Sequence, residues 1–291
     1  MKKINRRNFI GKSAMGLGSA FALSQIPGNL FATPLPKFLD IPIGFQTFPI
    51  RDRLAKDFPG TLKIMAGYGY QLVEMCSPAG YAQIGFGFLS NMKTSEIKNI
   101  ITDAGLSCPS CHFGKTEFTP ENIDKSIEFA QQLGLSQMIC STFWLPKTAT
   151  LKDYHDDADK LNKAAEKIKS AGMITGFHNH EMEFVMLEGQ LIYDALMSYF
   201  DPTLVKMQFQ TEVIQLGYKA STYFTKYPGR FISAHLSDWT ADKKEVPIGK
   251  GIIDWKEFFI TAKTGGVKNY FVEMDFNTFQ ESSKYIHGLQ I

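Results

Sequence analysis

What most constrains this chain is a rhythm: short apolar runs, most followed by a stretch of helical periodicity, repeated eight times. The runs are IPIGFQTF (41–48), QLVEMCS (71–77), LSCPSCHF (106–113), SQMICSTF (136–143), MITGFHNH (173–180), VKMQFQT (205–211), RFISAHLSD (230–238) and VKNYFVEMDF (267–276). Each has the length of a buried strand, and MITGFHNH becomes polar where it stops. Amphipathic stretches lie between them, near 53–67 and 92–104 and in the long LKDYHDDADKLNKAAEKIKSAG. In TPENIDKSIEFAQQLG, Thr119 reads as an N-cap and Pro120 as the first helical residue. Repeated β-then-α units imply parallel strands joined by right-handed crossovers, and eight of them in roughly 250 residues is the size of a closed (β/α)8 TIM barrel. An open doubly wound sheet would carry a glycine-rich fingerprint after its first strand, and FQTFPIRDR is not one.

The start of the chain is a different material. MKKINRRNFIGKSAMGLGSAFALSQIPGNLFA has a basic head, the pair Arg6-Arg7, then a weakly apolar Gly/Ala-rich stretch ending at Ala32. Residues 1–32 are therefore expected to be a twin-arginine-type export signal, with 33–291 as one barrel domain and the periplasm as its destination. The apolar stretch is too short and too glycine-rich for a stable membrane span. The net charge of +2 and the lack of a Lys/Arg block beyond the N-terminus argue against a nucleic-acid partner. Cys108 and Cys111 have C-x-x-C spacing, but no helical pattern follows to lower a thiol pKa and no second pair completes a zinc site. They read as core thiols, with a disulfide left open in an oxidising compartment.

Barrel enzymes carry their sites at the C-terminal ends of the strands. There this chain places Gln46, Glu74, His112, then His178 and His180, Gln208 and Gln210, His235 and Asp238, and Glu273 and Asp275. Strand side chains alternate, so His178 shares a face with His180, and Gln208 with Gln210. Imidazole and carboxylate gathered at one end of successive strands point to acid–base or metal chemistry.

GFHNHEMEF, AHLSDW, VPIGKGIIDW and YFVEMDF resemble the strand ends of the xylose isomerase-like TIM barrels, over roughly residues 40–280. That group includes sugar isomerases and epimerases, inosose dehydratase-like proteins and AP endonuclease 2-like proteins. The resemblance implies one divalent metal held at the positions of His178, Gln210, His235 and Glu273. The group's pattern is Glu, Asp, His and Glu, so His178 and Gln210 depart from it. Fewer carboxylates and two imidazoles shift the expected ion from Mg toward Mn, Co, Ni or Zn. Gln208 remains the alternative inward residue on its strand.

The sugar epimerases of the group exchange a proton between two glutamates, and here the strand-five member is His178. The resemblance therefore implies an enediolate-type reaction on a carbohydrate or keto-sugar, of isomerase or epimerase kind or, on 3-keto-glycosides, lyase or hydratase kind. Acid–base roles fall to His180, Glu74, His112 and Glu183, and substrate contacts to Gln208, Lys250, Trp239 and Asp238. Trp144, Trp239 and Trp255 are candidate flat walls for a sugar ring. Barrels of this group often pair, so a homodimer is also expected. The alternative function is a non-catalytic periplasmic sugar-binding protein on the same scaffold.

Overall fold

The computed structural model describes residues 39 and 41–290; the expected export signal at 1–32 lies outside the described residues. Eight strands form the barrel: β1 (Ile43–Gln46), β2 (Leu72–Cys76), β3 (Ser107–Phe113), β4 (Gln137–Cys140), β5 (Ile174–His178), β6 (Val205–Gln210), β7 (Phe231–Leu236) and β8 (Asn269–Val272). Each pairs in parallel with its neighbours in chain order, and β8 closes on β1. The outer layer is α1 (Phe58–Gly67), α2 (Thr94–Asp103), α3 (Ile123–Leu133), α4 (Leu151–Ser170), α5 (Ile192–Tyr199), α6 (Ala220–Lys226), α7 (Trp255–Gly265) and α8 (Phe279–His287). The expected (β/α)8 TIM barrel is therefore the observed fold. One helix start differs: α3 begins at Ile123, not Pro120, because the Thr119 carbonyl takes the amides of both Asn122 and Ile123 in a preceding turn.

Alternation along the strands separates two interiors. Outward residues fill the layer between barrel and helices: Phe45 against Tyr70 and Phe279, Phe177 against Phe143 and Phe200, Phe209 against Tyr223 and Phe224. The alternate positions face into the barrel, and there polar residues replace the usual branched aliphatics. Below them the barrel is plugged by apolar groups that leave no room for a Cβ at two glycines. A Cβ on Gly44 would lie 2.5 Å from the Phe271 ring, and one on Gly176 would lie 2.4 Å from Ile139 Cδ1.

Two register slips aim the polar layer. Between β2 and β3 the pairing passes from Leu72–Ser107 to Glu74–Ser110. The extra residue falls at the Cys108-Pro109 step, where a proline that donates no ladder bond is tolerated. Between β6 and β7 the pairing passes from Met207–Phe231 to Gln208–Ser233, which sets Gln210 opposite His235.

Candidate active site

Glu74 on β2 is the lowest charged group of the site and is fully buried. A buried carboxylate is costly unless charges and hydrogen bonds surround it. Its Oε1 accepts from Ser110 Oγ at 2.5 Å and Gln208 Nε2 at 2.8 Å. Its Oε2 accepts from Gln46 Nε2 at 2.8 Å and His235 Nε2 at 2.5 Å, with His112 Nε2 at 3.2 Å. Burial pushes the carboxyl up, but the neighbouring His112 and His235 outweigh it and hold Glu74 well below its ordinary range. Gln208 extends this floor: its Nε2 also donates to Ser233 Oγ, and its Oε1 meets His112 Nε2 at 2.6 Å.

His235 on β7 bridges the floor to the mouth. Its Nδ1 lies 2.7 Å from Glu273 Oε2, just past β8, and the same oxygen accepts from Gln210 Nε2 at 2.6 Å. Burial disfavours the imidazolium, yet Glu273 and Glu74 overcome this and push His235 up to about 10. The same contacts hold Glu273 below its ordinary value against the effect of burial.

His178 and His180 behave in the opposite way. Burial and the neighbouring imidazoles of His235, His180 and His112 keep His178 neutral. His180 is lowered to about 4, chiefly by burial, while Glu273 pulls it the other way. The Nδ1 atoms of both rings are buried with no hydrogen-bond partner. Four of the chain's six histidines thus meet at one place.

Above them opens a cavity of about 680 Å³. Its chemistry comes from His112, His178, His180 and Glu273, and its walls from Phe48, Tyr81, Ile84, Lys115 and Trp144. That size suits a small organic ligand. Trp144 is 65% exposed, holds a left-handed backbone at φ 49°, and sets its ring 5.6 Å from His180.

The fold brings eight of the strand-end residues together: Glu74, His112, His178, His180, Gln208, Gln210, His235 and Glu273. Glu74 and Gln208 are fully buried and do not line the cavity; their side chains hold the imidazoles of His235 and His112. Glu183 stands one layer back, where Oε2 accepts from the His180 amide at 2.7 Å and Oε1 from Thr142 Oγ1 at 3.2 Å. Burial pushes Glu183 up to about 7.

Three expected substrate contacts are corrected: Asp238, Lys250 and Trp239 do not line the cavity. The Asp238 carboxylate is consumed by the amides of Trp239, Gly249, Gly251 and Ile253 and by Trp255 Nε1, so it anchors the loop after β7. Lys250 is on the surface, 3.3 Å from Glu281. Trp239 is tied to Ser237 Oγ in a small hairpin, and Trp255 is a core residue. The sequence reading missed Ser110, Ser233 and Lys115. Only the proline in β3 hinted that Ser110 would turn inward. All four cysteines are free thiols, and burial pushes Cys108 up to about 12.

A divalent metal fits what is present. His112, His178 and His235 each offer a ring nitrogen, and these atoms lie within 4.8 Å of one another. The unpartnered Nδ1 of His178 is the kind of buried lone pair that a metal satisfies. Gln210, by contrast, turns its amide N–H toward Glu273, and its Oε1 lies 3.4 Å from the Glu212 amide.

Residues 62–289 match the xylose isomerase-like TIM barrel family. The chain belongs to that family. A sugar phosphate isomerase/epimerase from Parabacteroides distasonis ATCC 8503 superposes with a TM-score of 0.71 at 25% identity, over 85% of this chain and 93% of that one. A second protein of the same description and source gives 0.71 at 23% identity, over 84% and 97%. The probable 3-DHS dehydratase AsbF from Bacillus anthracis shares the fold with a TM-score of 0.65 at 11% identity, over 84% and 98%. No curated protein matches the chain. Membership of the family supports a carbohydrate-modifying enzyme. Among the described residues no helix is long and apolar enough to cross a membrane.

Proposed function

We propose that this protein removes a proton next to the carbonyl of a sugar or keto-sugar and passes through an enediolate. The observation that carries the reading is the pair of buried, unpartnered ring nitrogens, His178 Nδ1 and His180 Nδ1, beside Glu273 at the bottom of the cavity. Buried polar atoms without partners are rare, and in a pocket they mark where substrate or metal completes the set. His180, neutral and at the cavity wall, is placed to take the α-proton. Glu273 is the partner that stabilises the imidazolium so formed. A divalent ion held by the imidazoles at the cavity floor would polarise the substrate carbonyl.

The strand-five and strand-eight positions hold His178 and Glu273, not two carboxylates, which disfavours exchange of one proton between equivalent bases. Proton removal by a single base, followed by reprotonation or by loss of a β-substituent, suits the residues better. Isomerisation and elimination or hydration of 3-keto-glycosides are the reactions in view. Trp144 offers the exposed aromatic face that the apolar side of a sugar ring stacks on. The Arg6-Arg7 leader supports a periplasmic address, and with it an unphosphorylated substrate.

The test is incubation with ketoses and 3-keto-glycosides in deuterated water. Deuterium at the carbon beside the carbonyl, lost in a His180→Gln variant, is the expected result. Exchange without loss of a substituent assigns isomerisation; exchange with release of the aglycone or of water assigns elimination. Tight sugar binding with no exchange at any carbon would leave a binding protein.

A further inference from the structure

We propose that the metal of this site is bound by three imidazoles, those of His112, His178 and His235, and is a late first-row ion of the zinc class. The inference rests on the reading of the cavity as the reaction site. It departs from the donor set that the family resemblance implies, because it brings in His112 and leaves Gln210 and Glu273 off the ion.

The three rings come from β3, β5 and β7, alternate strands whose inward side chains share a layer in barrels of this kind. Their centroids form a closed triangle of 4.9 Å (His112–His178), 4.4 Å (His178–His235) and 5.1 Å (His112–His235). In a tetrahedral site with nitrogens at 2.0–2.1 Å from zinc, the nitrogens are about 3.4 Å apart. The present ones lie within 4.8 Å, so closing the site asks each ring for a shift on the order of 1 Å or less.

The floor beneath is built as the outer shell of a metal site is built. A ligating imidazole usually has its second nitrogen fixed by a carboxylate or carbonyl, which sets the tautomer and aims the lone pair. Here His235 Nε2 is held by Glu74 and His112 Nε2 by Gln208 Oε1. One pair of fully buried residues, Glu74 and Gln208, thus fixes two of the three rings, those of His112 and His235. His178 Nδ1 is left buried and unsatisfied, a costly state that a bound ion would relieve.

Gln210 and Glu273 are occupied with each other through a 2.6 Å bond. A metal at this site would take the place of the proton that His235 Nδ1 shares with Glu273, and that proton would leave to solvent. Glu273 would then stay at the cavity wall, off the ion and bonded to Gln210. Three nitrogens leave a fourth position open, and neutral imidazole donors favour Zn, Co or Ni over Mg.

The full chain is purified, stripped with chelator and titrated with zinc and cobalt(II), beside His112→Ala, His178→Ala and Gln210→Ala variants. Expected is one equivalent of zinc, affinity lowered by roughly 100-fold or more in both histidine variants, and Gln210→Ala within about threefold of wild type. Zinc-edge X-ray absorption on the wild type counts imidazoles without relying on any variant folding, and three is the expected number. Full zinc affinity in folded His112→Ala with loss in Gln210→Ala overturns the proposal. So do two imidazoles with carboxylate oxygen at the edge, or no binding of either ion by the wild type. Deuterium exchange separates the two readings. Exchange that persists in stripped protein leaves the enzyme standing and removes the metal, whereas a three-imidazole site without exchange does the reverse.

Discussion

Glu74 has no route to solvent, yet it sets the state of the histidines above it. Its Oε2 holds His235 Nε2 and lies beside His112 Nε2. Taking away one partner of a buried ion pair strands the other charge in a low-dielectric interior, which costs roughly 3–5 kcal/mol. Glu74→Ala is therefore expected to lower unfolding free energy by about that amount in urea titrations. It should also abolish turnover, although the residue does not line the cavity. A loss below roughly 1 kcal/mol would mean that His235 gives up its proton and needs no carboxylate beneath it. Gln208 makes a milder comparison, because it is neutral and its loss leaves polar atoms unpaired but no charge.

Among the elements, those that follow local rules could be read from the chain, and those set by tertiary contact could not. Eight strands and the barrel followed from apolar runs of strand length, and strand-end alternation found the histidine cluster. The loop after β7 did not yield to the same reasoning, because Asp238 and Lys250 stand near His235 in sequence while the loop carries them elsewhere in space. Asp238 accepts from Gly249, Gly251 and Trp255 Nε1. Asp238→Ala strands these donors and should cost about 3 kcal/mol in thermal or urea unfolding. Below the transition it should leave kcat and KM within about twofold of wild type; a large rise in KM at full folding would restore the substrate contact read from the sequence. Trp144 was legible as a candidate wall for a sugar ring, but not as a residue held at φ 49°. Such a backbone costs an ordinary side chain roughly 1–2 kcal/mol. Trp144→Gly is expected to raise stability by about 1 kcal/mol and to raise KM with little change in kcat, which steady-state kinetics on the assigned sugar would show.

For the whole molecule, folding gathers groups whose ordinary ionisation is suppressed, so stability must vary with pH. His180 is lowered to about 4 and His178 well below its ordinary 6.5, in both cases chiefly by burial. In the unfolded chain both take protons as pH falls through 6.5, while the folded rings refuse them. Their contribution is complete above 6.5 and is lost on acidification toward 4. Glu183 acts in the opposite sense: raised by burial from 4.5 to about 7, it adds stability that is full below 4.5 and gone by about 7. His235, raised to about 10, adds stability that is full below 6.5 and lost as pH climbs to 10. From 4.5 to 6.5 the unfolded chain therefore binds two protons that the fold does not, and the fold binds one at Glu183. The balance is one proton, so stability rises by about 1.4 kcal/mol per pH unit. Glu117, Glu212 and Glu245, also raised by burial, blunt that slope. Above 6.5 the fold holds the extra protons and stability falls. The metal-free protein should be most stable near pH 6.5. His180→Gln removes one of the two refused protons and should flatten the acid limb, whereas Glu183→Gln should steepen it to at most about 2.7 kcal/mol per unit. Urea midpoints in chelator from pH 4.5 to 7.5 read both slopes. An acid limb unchanged in His180→Gln would show that this ring is protonated in the fold, and a protonated ring cannot be the base that takes the substrate's proton.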